Sequence, residues 1–104
     1  MRATNVYELP EGVEPRKRTN IWITRGTELA GTTEVALQSK PGEVPVYCHT
    51  TCGVFRFMDL TAKDLKLYAD PGITDIPALF SSMMRRYPGF GKREIVTVLS
   101  FYVK

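Results

Sequence analysis

Ile95 to Val103, IVTVLSFYV, is an almost unbroken run of β-branched, aromatic and aliphatic residues. A strand that is apolar on both faces has to be covered on both, which makes this one a central strand and not a rim strand. The rest of the chain must therefore supply neighbouring strands and a cover. That requirement argues against a helical bundle and for a mixed sheet with helices packed on it.

Candidate neighbours can be read from short β-forming runs. Asn20 to Arg25 (NIWITR) is one, and Thr33 to Gln38 (TEVALQ), alternating in polarity, is a second. Ser39-Lys40-Pro41-Gly42 is a turn signal, because Pro and Gly supply backbone angles that other residues resist. Glu43 to His49 is then read as a returning strand, and Pro45 gives it a free edge. Gly53 to Asp59 is a fourth run, after which Thr61 and Asp64 resemble a capping box at the start of a short helix reaching about Ala69. Thr74 or Asp75 caps a second helix, with Pro77 tolerated in its first turn and Pro88-Gly89 ending it. Ile76, Leu79, Phe80, Met83 and Tyr87 make its apolar stripe. The expected order is β, β, β, β, α, α, β: a small α+β domain over 20–104, its sheet curled or closed into a barrel with two short helices over one opening. Residues 1–19, punctuated by Pro10, Gly12 and Pro15, read as an extended N-terminal arm.

At 104 residues, 43% hydrophobic and 24% charged, the chain is one ordinary globular domain. No apolar run approaches the roughly 18 residues of a membrane helix, and the N-terminus lacks the apolar middle of a signal peptide, so the expectation is a cytoplasmic protein. The large aromatics Tyr47, Phe55, Phe57, Tyr68, Phe80, Phe101 and Tyr102 are expected in the core, since a small barrel needs large residues to fill it.

The histidine, in Cys48-His49-Thr50-Thr51-Cys52, sits between two potential thiolate ligands. On a strand the two cysteines share a face and His49 points away, and no second Cys/His cluster completes a zinc set, so ordinary packing is expected and neither metal nor cofactor. Ser81-Ser82 lie mid-helix without a nucleophile elbow. Basic residues cluster at Arg16-Lys17-Arg18, Arg85-Arg86 and Lys92-Arg93, the last two pairs flanking Tyr87-Pro88-Gly89-Phe90. Cations beside exposable rings are what single-stranded nucleic-acid binding uses, with charge for phosphates and rings for bases. The net charge of +3 permits such a polyanion without demanding it. Structurally, Arg85 and Arg86 also suit the negative end of a helix dipole.

The second half of the chain resembles the end of an ASCH domain, a PUA-like β-barrel. The matching pieces are Asp59-Leu60-Thr61, Asp64, the helix from Ile76, Tyr87-Pro88-Gly89 and the strand from Ile95. The family signature, G-x-K-x-x-T-x-R, falls best on Gly31, where the lysine, threonine and arginine positions hold Thr33, Ala36 and Gln38, with Pro41-Gly42-Glu43 as the later turn. The resemblance implies the fold, a cleft that Trp22, Thr33, Asp70 and Tyr87 would line, and a nucleic acid, RNA above all, as partner. The missing signature side chains weigh against catalysis. The reading is thus a non-catalytic nucleic-acid-binding domain. One alternative is a nucleoside amidohydrolase or nuclease of the ASCH type, which would need Lys17 or Lys40 beside Asp70. Another is a small phage or mobile-element protein that binds a host protein and modulates it.

Overall fold

The computed structural model describes residues 5–10, 13–37 and 44–104. Five strands, β1 (Val6–Glu8), β2 (Thr19–Arg25), β3 (Glu34–Leu37), β4 (Val46–Arg56) and β5 (Ile95–Tyr102), form one sheet in the order β1-β3-β4-β5-β2. Two helices, α1 (Ala62–Leu65) and α2 (Ile76–Arg86), lie between β4 and β5 in the chain. β1 runs parallel to β3 and every other pairing is antiparallel. None of the helices is long and apolar enough to cross a membrane, among the described residues.

β5 is internal, paired with β2 from Thr19–Tyr102 to Arg25–Val96 and with β4 from Thr50–Phe101 to Arg56–Ile95. Val96, Thr97, Leu99 and Phe101 are buried, as its composition demands. β4 changes partner along its length, pairing with β3 up to His49 and with β5 from Thr50. The sheet is open, not a closed barrel, because β1 and β2 are not paired with each other. It is nevertheless strongly curled. In a flat five-stranded sheet the outer strands lie about 19 Å apart at ~4.8 Å per step. Here Trp22 of β2 donates from Nε1 to the hydroxyl of Tyr7 of β1 at 3.0 Å.

The element string matches the expected one through two cancelling differences. Residues 1–19 are not wholly an arm beside the domain: Val6–Glu8 joins the sheet, and Leu9 is only 1% exposed. The alternation Val6-Tyr7-Glu8-Leu9 puts Tyr7 and Leu9 inward, a signal too short to stand out before Pro10. Conversely, the two middle strands are one eleven-residue β4, since Thr50, Thr51 and Cys52 continue the extended backbone. It stops at Arg56, and Phe57–Asp59 form a short 3₁₀ turn. The turn expected at 39–42 lies outside the described residues.

Local signals built the helices. Asp64 accepts from the Thr61 backbone N–H at 2.8 Å, and Asp75 accepts from Ala78 N at 2.7 Å, each satisfying an amide that the first turn leaves without a partner. Leu79 and Met83 of α2 are fully buried, and Phe80 packs on Phe57 and Phe90. After Tyr87, Gly89 takes φ of +86°, a left-handed conformation that stops the helix and that glycine adopts without strain.

Candidate nucleic-acid interface

Asn20 is completely buried at the start of β2 and shapes the basic stretch before it. Its Nδ2 donates to the carbonyls of Arg16 at 2.9 Å and Arg18 at 2.8 Å. Arg18 N also bonds to Arg16 O, and Arg18 O accepts from Val103 N. The backbone of 16–18 is thereby folded into a tight bend tied to the end of β5. Arg16 and Arg18 line a cleft of about 260 Å³, whereas Lys17 does not. Across it stand Leu65 and Lys66 at the end of α1, Tyr68, and the 71–74 loop. Arg18 Nη2 reaches over to the carbonyl of Lys66 at 3.0 Å.

Among the described residues, no carboxylate lines this cleft. The only ion pair among the described residues is Arg25–Glu94, at the far end of β2. Asp70 accepts from Gly72 N within its own loop, though it is close enough to Tyr68 to oppose phenol ionisation. Burial is the main cause that pushes the Tyr68 phenol above its usual range, and Arg86 partly offsets it. The Tyr68 hydroxyl lies near Ile23 and Arg86 but makes no hydrogen bond of good geometry.

On the same end of the sheet, Tyr102 is paired with Thr19, one residue from Arg18. Tyr102 and Tyr47 are 60% and 54% exposed, and with His49 and Lys104 they line a wider groove of about 620 Å³. Phe55 is also half-exposed. The expected burial of these three rings is corrected here. Phe57, Tyr68 and Phe101 are buried as expected, with Tyr68 bridging to Ile21 along β2, whereas Tyr47 and Phe55 of β4 and Tyr102 of β5 are left uncovered.

Arg86 is also reassigned. It is not a free surface cation but a cap on the edge of β2. An edge strand has carbonyls without ladder partners, and these require donors. Ile21 O receives Ala69 N, and the next outward carbonyl, Ile23 O, receives Arg86 Nη1 at 2.8 Å. The guanidinium lies 4.4 Å from the Trp22 ring centroid and 5.0 Å from that of Tyr87, and Nη2 donates to the Tyr87 hydroxyl at 3.1 Å. Trp22 stacks on Tyr68 with centroids 5.3 Å apart.

The seven cations read from the sequence are therefore divided. Arg16 and Arg18 share a cleft with Lys66, which carries no sequence signal of its own. Lys92 lies over the Phe80 ring, and with Arg93 it precedes the Arg25 end of the β2–β5 ladder. That ladder is about 20 Å long at ~3.3 Å per residue. Arg85 is exposed on α2. Of the expected cleft residues, Trp22 and Tyr87 meet through Arg86, and Asp70 is near Tyr68. Thr33 is elsewhere, its N–H and hydroxyl both donating to Asn5 O beside β1. Lys40, Gln38 and Pro41-Gly42-Glu43 lie outside the described residues. Cys48 is buried and His49 exposed, as alternation on β4 requires, and burial raises the pKa of both Cys48 and Cys52, which disfavours thiolate. Family models, curated proteins and solved structures give no significant match to the chain.

Proposed function

We propose that the protein binds single-stranded nucleic acid, RNA or DNA, without catalysing a reaction on it. The observation that carries this reading is a cationic cleft with no carboxylate in its lining among the described residues, set one residue across the sheet from the exposed Tyr102, which shares a groove with the exposed Tyr47. Arg16, Arg18 and Lys66 supply charge for phosphates. Tyr102 and Tyr47 offer ring faces to unstacked bases, which duplex does not present.

The same reading takes the fold as a PUA-like, ASCH-type barrel opened along the seam between β1 and β2. In its favour are the central last strand, the capped helix ended at Tyr87-Pro88-Gly89, and the curl that brings Trp22 to Tyr7.

The test is binding of labelled single-stranded RNA, single-stranded DNA and duplex across a salt series. Single strands should bind more tightly than duplex. Three phosphate contacts should give a slope of log K against log salt of roughly −2, at about −0.7 per contact. Absence of binding to any oligomer at low salt removes the proposal.

A further inference from the structure

We infer that the Arg16–Arg18–Lys66 cleft is a seat for a phosphomonoester, so that the protein recognises a phosphorylated end of the strand. This rests on the nucleic-acid reading above and adds the group that is recognised.

The cationic residues are gathered around one small cleft. A strand lying along a groove offers one negative charge per phosphodiester, and a groove built for it spaces its cations accordingly. Here three cationic residues line one cleft of about 260 Å³, and no carboxylate among the described residues lines it. That matches a terminal phosphate, which carries about −1.5 to −2 near neutral pH and has three acceptor oxygens.

The cleft is also bounded. The Arg18 side chain crosses from the start of β2 to the Lys66 carbonyl and forms a strap on one side of the cleft. Pro71, Ile73 and Thr74 stand on the loop that bounds it. The volume is below the roughly 300–1,000 Å³ of ordinary small-molecule pockets, enough for a phosphate and part of one nucleotide. Arg18 Nη2 is engaged with the Lys66 carbonyl and Nε is buried, which leaves Nη1, without a hydrogen bond among the described residues, as its donor for a ligand. Among the described residues, Arg16 and Lys66 make no side-chain hydrogen bond or ion pair and the Thr74 hydroxyl makes no hydrogen bond, so all three are free to turn to an anion.

The experiment compares one labelled oligomer with a 5′-phosphate, a 3′-phosphate or hydroxyls at both ends, with a nucleoside monophosphate as competitor. One or both phosphorylated forms should bind about tenfold more tightly than the hydroxyl form, as charge-assisted contacts of this kind provide. The preferred end identifies the polarity of the bound strand. The advantage should vanish in the double variant Arg16→Ala/Lys66→Gln, whose side chains hold nothing in the fold, and an unchanged melting temperature verifies that the variant is folded. Equal affinity for all three oligomers overturns this inference and leaves the nucleic-acid reading standing. Binding of the monophosphate without any oligomer binding keeps the phosphate seat and removes the polymer. No binding of either overturns both.

Discussion

Replacing Arg86 by alanine takes a charged donor away from the open edge of β2. The Ile23 carbonyl then loses its 2.8 Å partner in a region where Ile23 itself is wholly buried. A hydrogen bond to a charged group contributes about 1.5–3 kcal/mol. The guanidinium also leaves the face of Trp22, a contact of about 0.5–1 kcal/mol where solvent is partly present. Arg86 is half-buried, so the lower parts of these ranges apply, and the loss is about 2–3 kcal/mol. For a domain of this size each kcal/mol shifts Tm by about 4–8 °C, so Arg86→Ala should lower it by about 10 °C or more. Total stability of a small domain is about 5–15 kcal/mol, so the variant still folds at room temperature. Arg85→Ala, one residue earlier on an exposed position, is the control and should change Tm little. Arg86→Lys keeps charge but not the planar fork, and should fall between. The assay is thermal unfolding followed by fluorescence of Trp22, the single tryptophan, whose emission should also change in the native baseline when its cation is removed. Equal Tm values for the Arg85 and Arg86 variants would refute the edge-capping account and return Arg86 to the list of surface cations.

Tyr102→Ala should weaken single-strand binding by about 1–3 kcal/mol, the worth of one stacked base, with Tm nearly unchanged because the ring is exposed; titration with a labelled oligomer checks it. Tyr68→Phe should leave neutral-pH stability equal or higher, since the buried hydroxyl lacks a hydrogen bond. The folded-state phenol pKa is raised, so its contribution to stability is present below the unfolded value of about 10 and is lost as pH rises above it. The variant should therefore show a flatter alkaline limb in unfolding experiments. Glu94 has the opposite sign. The Gly91 N–H and then Arg25 hold its carboxyl below the usual value of 4.5, so its contribution is present above that pH and is lost as pH falls through the lower folded-state value. Glu94→Gln should flatten the acid limb, and an unchanged limb would show that this pair does not couple to folding.

The candidate site was only partly legible. Arg16 and Arg18 stood out as a basic cluster, but nothing in the residues told that Asn20 would fold their backbone so that Lys17 leaves the cleft. Lys66 belongs with them only because Arg18 bonds to a carbonyl 48 residues away. The charge of Arg86 points to a phosphate contact, yet its main partner is a carbonyl 63 residues earlier. The cysteine–histidine segment is legible from the residues, Cys48 inward and His49 outward, because alternation is a property of the strand itself.

By itself the sequence determined what depends on near neighbours: the caps at Thr61–Asp64 and Asp75, the stop at Gly89, the apolar stripe of α2, and the need for β5 to be covered on both sides. Tertiary structure alone decided that β1 joins the sheet, that β4 runs unbroken between two partners, that Tyr47 and Tyr102 face out, and that one arginine caps an edge while two others share a cleft. The physical reason is range. Backbone angles, caps and periodicity are set within about one turn or one strand, whereas the partner of an edge carbonyl or an exposed ring is chosen by how distant segments pair and curl.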